Sequence, residues 1–279
     1  MESGLFMEIQ YKHLNFICIF QGYIIKILLS ILFLFIFSCQ DGLDVNTTKH
    51  TATDPIADIT YLNDYFYTTN LDSSGNAGHQ IDLYKLDSLS NPINRFEFPL
   101  NGQGYLAATD DGSNLFFQPR YTDYIFKSTP LGEIFWYQPD NFPDNTADTT
   151  STFMYWRGRG LAWADTNLVA LYRHKDDSTR YRGRYLHVNN DTLQTVLDIT
   201  VIWDHLDNYG AYAMEYNSGT RRFWVLARES LDKYIIFEVD SMLQYLRTIS
   251  SIDGSPKGIT MGPDSLLYLS YPGRKIVPY

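Results

Sequence analysis

Cysteine is nearly absent from this chain: there are two among 279 residues, Cys18 and Cys39. Cys18 falls in an apolar, leader-like segment. A processed chain would keep Cys39 alone, which excludes a disulfide, a Cys-ligated zinc site and a catalytic Cys pairing. Positive charge is scarce too. Lys plus Arg reach 22 against 32 Asp plus Glu, a net charge of −10, which excludes a general nucleic-acid or anionic-membrane surface. Ala-rich and Leu/Glu/Lys-rich stretches of helical character are almost wanting. No GxSxG nucleophile elbow, HExxH motif or phosphate-cradling Gly-rich loop occurs. The six histidines are scattered, and His174 in "YRHKDD" reads as a loop residue because no partner can be named for it.

Aromatic residues are abundant: 22 Tyr, 17 Phe and 5 Trp. Side chains of this kind suit pleated, half-buried surfaces, so the expected class is all-β.

The first forty residues are unlike the rest. Ile27 to Phe37, "ILLSILFLFIF", is an unbroken apolar run preceded by Lys26 and ending at "IFSCQD". That is the order of a cationic n-region, an apolar h-region and a cleavage site. A small residue just before Cys39 resembles the lipobox of bacterial lipoproteins. The resemblance implies a signal peptide over 1–38, lipidation of Cys39 and acylation of the new amino terminus, and several acyl chains make a lasting anchor. An acidic residue soon after the cysteine resembles lipoproteins of the Bacteroidota, which points to an outer-membrane lipoprotein of the cell envelope with the leaflet left open. The competing reading is an uncleaved membrane helix over Leu14 to Ser38, interrupted by Gln21 and Lys26. Residues 39–54 are polar and without a period, as expected of a tether.

From residue 55 on, the chain repeats. Five segments share one template, a small or apolar strand, a polar turn, then an aromatic-aliphatic strand: "IADITYLNDYFYTTN", "GYLAATDDGSNLFFQ", "RGLAWADTNLVALY", "AYAMEYNSGTRRFWVLA" and "KGITMGPDSLLYLSY". Their turns fall near Asp64, Gly112, Asn167, Gly219 and Ser265. A second hairpin template follows in four units, with Asp-Ser or Asp-Thr at the turn in three of them, where the Asp side chain can accept from backbone N–H groups. Four short antiparallel strands per repeat describe a β-propeller blade. Five blades over 55–279 come first, a six-bladed or truncated six-bladed ring second and a two-sheet sandwich third. The fifth unit lacks a fourth strand, which Val45 to Ala52 are expected to supply, closing the ring and covering an edge.

The segment "GITMGPDSLLYLSYPGRKIV" resembles the NHL and SMP-30-like propeller superfamily. That resemblance implies a ligand site at the central channel mouth, here among Tyr61, Tyr105, Trp163, Glu215, Tyr216 and Lys257. In SMP-30-like lactonases the mouth holds a divalent metal on oxygen ligands, which suits calcium or magnesium. Glu215 alone fits such a position; Asp110, Asp111 and Asp264 read as turn residues, so no cofactor is assigned.

The most unusual local feature is cationic. Arg157, Arg159, Arg173, Lys175, Arg180, Arg182 and Arg184 interleave with Trp156, Tyr172, Tyr181 and Tyr185. Guanidinium forks match carboxylates and aromatic faces stack on sugars, so these residues are candidates for contact with an anionic glycan or a protein on the loops of the third blade. The alternative is a solvated hairpin loop compensated by Asp176 and Asp177. Repeated triplets of Asp, then Ser or Thr, then an apolar residue or Thr resemble the O-glycosylation sequon of exported Bacteroidota proteins, with Thr149 the best candidate. Together these readings describe a lipid-anchored binding module for a protein or glycan partner, without nucleic acid, with an SMP-30-like metal-dependent hydrolase or lyase as the alternative.

Overall fold

Alternating side-chain burial and short polar turns produce nineteen strands among the described residues and no helix. The structure, a computed structural model, describes residues 56–70, 79–86, 92–102, 106–119, 125–137, 156–189, 192–206, 210–271 and 275–279. The chain divides into two units, Met1–Lys49 and His50–Tyr279. The expected signal segment, Cys39, the Val45 to Ala52 strand, Tyr105 and Thr149 lie outside the described residues.

Five antiparallel sheets follow one another along the described chain. Sheet 1 holds β1 (Ile56–Leu62), β2 (Tyr65–Asn70), β3 (His79–Leu86) and β4 (Pro92–Gly102). Sheet 2 holds β5 (Leu106–Asp110), β6 (Leu115–Pro119), β7 (Ile125–Ser128) and β8 (Ile134–Tyr137). Sheet 3 holds β9 (Trp156–Ala164), β10 (Asn167–His174), β11 (Arg180–Asn189) and β12 (Thr192–Ile202). Sheet 4 holds β13 (Gly210–Asn217), β14 (Arg222–Ser230), β15 (Lys233–Val239) and β16 (Tyr245–Ile252). Sheet 5 holds β17 (Gly258–Met261), β18 (Leu267–Tyr271) and β19 (Lys275–Pro278). Within each sheet the strands pair in sequence order. The first strands touch in the cycle β1, β5, β9, β13, β17 and back to β1. The all-β propeller expected from the repeats is what the chain forms.

Turn chemistry accounts for the hairpins. Asn63 and Asp64 both have positive φ (51° and 67°), the backbone of a two-residue turn whose twist matches the flanking strands. Asp240 accepts from the backbone N–H of Met242 and Gln244 at 2.8 and 2.9 Å. Asp264 accepts from that of Leu266 at 3.1 Å.

The core is distributed over the seams between sheets. Between sheets 3 and 4 it includes Val169, Leu171, Tyr181, Trp203, Phe223, Val225 and Phe237. Between sheets 2 and 3 it includes Phe116, Trp156, Leu161 and Leu186. Smaller clusters fill the remaining seams. Two inner-strand glycines permit close approach of backbones. A Cβ on Gly160 would lie 3.1 Å from the Met214 nitrogen, and one on Gly258 would lie 2.7 Å from the Asp58 Cα.

Candidate functional site

The inner strands carry polar side chains where neighbouring sheets meet. Asp58 on β1 is 2% exposed. Its Oδ1 accepts from the backbone N–H of Ile59 (2.9 Å) and of Ile259 on β17 (3.3 Å), and its Oδ2 from that of Ala108 on β5 (3.0 Å). One carboxylate thus joins sheets 5, 1 and 2. Thr60 donates to Asp110 Oδ2 at 2.6 Å, and the Trp163 N–H donates to Thr109 Oγ1 at 3.1 Å, continuing the contacts to sheet 3. Between sheets 3 and 4, Tyr216 donates to Asp165 Oδ2 at 3.2 Å, and the Ala211 N–H donates to the Tyr181 hydroxyl at 3.0 Å. Glu215 accepts from the backbone N–H of Met261, linking sheets 4 and 5.

Three of these groups are carboxyls pushed above their usual range. Burial raises Asp58 well above it, partly offset by the backbone N–H groups of Ala108, Ile59 and Ile259. Burial also raises Asp110, against the hydrogen bonds from Thr60 and Gly112. Glu215 is raised by burial and then by the negative charges of Asp110 and Asp58. Glu215 is thus coupled electrostatically to two further acids, where the channel reading had placed Glu215 alone. Both oxygens of Asp58 accept from backbone N–H groups, both oxygens of Asp110 accept, from Thr60 and from the Gly112 N–H of its own turn, and Glu215 accepts from the Met261 N–H. Among the described residues no group of three or more His, Cys, Asp or Glu is arranged to hold a metal. The donor set does not fit calcium or magnesium, which need several free oxygens converging on one point. The two neighbouring acids escaped sequence reading because Asp110 was assigned to its turn and Asp58, in "ADIT", carries no motif.

The turns that join inner strands to second strands form a rim of aromatic and acidic residues. Tyr61 donates to Asp64 at 3.3 Å and Tyr268 to Asp264 at 3.0 Å, while Trp163 Nε1 donates to the Asp165 carbonyl at 3.0 Å. Tyr61, Tyr216 and Tyr268 are each raised by burial and then by the neighbouring carboxylate, so their hydroxyls remain donors at neutral pH. Of the positions expected at a channel mouth, Tyr61, Trp163 and Tyr216 belong to this rim. Lys257 lies at the other end of β17, its ammonium 4.7 Å from the Tyr212 ring centre.

Between sheets 3 and 4 the rim opens into a cleft of about 340 Å³ lined by residues that include Asp165, Asn167, Tyr185, Tyr216, Arg221 and Phe223. Tyr216 and Phe223 pack at 5.1 Å between ring centres and Tyr185 and Phe223 at 6.3 Å. Tyr185 donates to the Ser241 carbonyl at 2.5 Å, and burial pushes its hydroxyl far up. Arg221 has φ of 56°, a left-handed backbone unusual for a long side chain. Sequence reading passed over Arg221. The signal was available in "NSGTRRF", where a bulky cation ends a turn that glycine would close more easily.

The arginine candidates are on strands rather than loops, which corrects their expected placement, while Lys175 lies in the bend after β10. Arg157 and Arg159 lie on β9, Arg173 on β10, and Arg180, Arg182 and Arg184 on β11. Arg159, Arg173 and Arg184 are buried at 6%, 5% and 1% exposure. Arg182 makes a bidentate pair with Asp198 on β12, Nε to Oδ1 and Nη2 to Oδ2, both at 2.7 Å. Arg184 donates to Thr195 and stands 3.7 Å from the same carboxylate. The guanidinium carbons of Arg180 and Arg182 lie 5.6 and 5.5 Å from the centre of Trp156, itself buried. Asp198 compensates Arg182 and Arg184, while the expected local compensation also occurs: Asp176 lies 4.0 Å from the Lys175 ammonium, and Asp177, which caps its own turn through Thr179, feels the Arg180 charge. His174, expected in a loop, is the last residue of β10, 5.1 Å from the Trp156 ring centre. Period-two alternation in "RYRGRY" carried the strand signal, but charge was read as solvent exposure.

Sheets of this build, with inner strands touching in a cycle, define a β-propeller. No protein-family model matches the chain, and no curated protein matches it in sequence. Among solved structures it is similar to the glutaminyl cyclase of Myxococcus xanthus, with a TM-score of 0.52 and 12% identity over 82% of this chain and 91% of that one. It is similar more loosely to a virginiamycin B lyase from Staphylococcus aureus, with a TM-score of 0.42 and 15% identity over 83% and 71%. At such identities the shared property is the fold, and a fold does not carry an activity with it.

Proposed function

We propose that the chain is a lipid-anchored β-propeller of the bacterial cell envelope, at the outer membrane, that binds a glycan or protein partner through the rim of its inner hairpin turns. The observation that carries this reading is the repeated pairing of an aromatic hydroxyl or indole N–H with an acidic turn residue at Tyr61, Trp163, Tyr216 and Tyr268. Aromatic faces stack on the apolar side of a sugar ring or on a guanidinium group, and fixed carboxylates accept from hydroxyl or ammonium donors. Support for the anchor comes from "IFSCQD" at Cys39.

Pull-down from envelope extracts tests the rim. Replacing Tyr61, Trp163 and Tyr268 together with Ala should abolish capture of envelope glycan or protein, whereas charge reversal at Arg182, whose fork is already held by Asp198, should leave capture intact. The opposite pattern would return the site to the third sheet. Cys39→Ala should release the folded protein from membranes, and retention would instead support an uncleaved span. Modification at Thr149 predicts a raised intact mass for the protein from its host.

A second reading, an NHL or SMP-30-like metal-dependent hydrolase or lyase, draws on the charge coupling of Glu215 with Asp110 and Asp58 and requires those carboxyls to exchange their present N–H and O–H donors for a cation. A rise in melting temperature with millimolar calcium or magnesium, lost in Glu215→Gln, would bring it forward.

A further inference from the structure

The cleft between sheets 3 and 4 holds one cationic and one anionic side chain that do not neutralise each other. Asp165 accepts from Tyr216, and the Arg221 charge acts on that same Tyr216 hydroxyl. No ion pair to Arg221 occurs among the described residues. Both residues sit in left-handed backbone, at φ of 54° and 56°. They belong to inner hairpin turns, Asp165 between β9 and β10 and Arg221 between β13 and β14, and these turns carry the two charges to the cleft. For arginine the left-handed backbone costs more, because asparagine and aspartate tolerate it far better.

We infer that this cleft binds an acidic sugar unit, a hexuronic acid of a glycan chain; the inference rests on the glycan-binding reading above and names its ligand class. The Arg221 fork takes the uronate carboxylate, a planar bidentate match that an ammonium would not provide. Asp165, held by the Tyr216 hydroxyl, accepts from ring hydroxyls and repels the uronate carboxylate, so the carboxylate end of the sugar turns toward Arg221 and the orientation is set. The tyrosine rings of Tyr185 and Tyr216 supply a wall for the apolar ring face. Tyr185 and Tyr216 both keep their hydroxyl protons at neutral pH because burial and nearby carboxylates raise them. A volume of about 340 Å³ lies at the low end of small-ligand pockets, which run from roughly 300 to 1,000 Å³. It suits one or two sugar units and excludes a folded domain.

The test is titration calorimetry on the full-length protein in detergent with three probes: methyl glucuronide, methyl glucoside and the zwitterion alanine. Expected is saturable binding of the glucuronide at millimolar concentration, with the glucoside weaker by on the order of 10-fold or more, as loss of a charge-assisted pair implies. Alanine should not bind. Arg221→Gly is the decisive variant, because glycine relieves the left-handed strain and the protein should melt no lower, yet glucuronide binding should fall by on the order of 10-fold or more. Asp165→Asn should weaken both sugars together. Equal binding of glucuronide and glucoside overturns the acidic class, and alanine binding lost in both variants assigns an amino acid instead. Glucuronide binding unchanged in Arg221→Gly places the sugar elsewhere. If no probe binds while envelope glycan is still captured through the rim, this cleft is wrong and the broader reading stands. If neither occurs, both fall.

Discussion

Two seams of the ring hold by different means. Between sheets 3 and 4, which follow each other in the chain, the contact is a broad apolar cluster around Trp203, Phe223 and Phe237, all buried. Between sheets 5 and 1, which the chain brings together from its far ends, the described apolar residues are few: Ile59 and Phe66 are buried, with Tyr61, Tyr268 and Ile276 packed against them. Polar groups fill that seam: Asp58 at 2% exposure, with Thr68 and Ser270 at 0%. The Asp58 carboxylate reaches the Ile259 N–H across 201 positions of sequence. Apolar burial is strong but has no direction, so it suits sheets already held in sequence by a short connection. A seam closed over such a distance also needs its register set, and directional bonds to backbone N–H groups supply that.

The comparison is broken most forcefully from the apolar side. Trp203 packs at 4.4 Å from the Tyr181 ring centre and 5.0 Å from that of Phe237, and its indole donates to the Leu243 carbonyl at 3.1 Å. Trp203→Ala should cost about 4 kcal/mol in urea unfolding, the ordinary range for an aromatic removed from a core. A loss below about 1 kcal/mol would mean that the seam collapses onto the space and is no better packed than its partner. Asp58→Ala comes next. It strands three buried N–H groups, but it also removes a carboxyl whose burial is itself unfavourable, so about 3 kcal/mol is expected. The two variants differ in where they loosen the ring. Hydrogen exchange should rise chiefly in β1, β5 and β17 for Asp58→Ala, and in sheets 3 and 4 for Trp203→Ala. Uniform exchange in both would erase the distinction between seams.

Acidity separates them further. Asp58, Asp110 and Glu215 all titrate above their usual values in the folded protein, so from about pH 4 upward the native state binds more protons than the unfolded one. Their effect on stability is least adverse below the unfolded values and worsens as pH rises toward the folded ones. Glu238, on sheet 4, runs the other way. Burial alone would raise it, but hydrogen bonds and charge from Arg247 and Arg222, at 3.0 and 2.9 Å, hold it low. Its contribution is present above the unfolded value and disappears as pH falls. Urea unfolding between pH 4 and pH 7 should therefore show a shallower decline with rising pH in Asp58→Asn, and a steeper one in Glu238→Gln. An unchanged slope in Asp58→Asn would remove the buried carboxyl from the closing seam.

The repeats were legible because the hairpins write themselves into sequence twice, as period-two burial and as Asp at the turns. The segment "YIIFEVDSMLQYLRTI" gives both, and β15 and β16 stand where it puts them. Seam chemistry was not legible. Nothing local distinguishes Asp58 from an aspartate facing water, since its partners Ala108 and Ile259 are 50 and 201 positions away. Arg182 and Arg184 misled for the complementary reason. Their partner Asp198 lies in the next strand, so the pair is within one hairpin, yet charge density suggested a loop.

That pair gives the smallest expected effect and a control on the comparison, because it lies inside sheet 3 and touches neither seam. Arg182 is 11% and Asp198 30% exposed at the side chain, and partly exposed ion pairs are worth about 1 kcal/mol when their geometry is bidentate. Arg182→Ala should cost about that much in low salt, and less in high salt as screening takes over. Arg182→Lys keeps the charge but loses the fork and much of the stacking over Trp156, so it should recover no more than half of the loss. A double-mutant cycle with Asp198→Asn isolates the pairwise part. Exchange in β1 and β17 should stay at the wild-type level throughout. Loosening there would show that sheet 3 and the closing seam act as one cooperative unit, and the distinction between directional and non-directional seams would then hold only for bonding and not for stability.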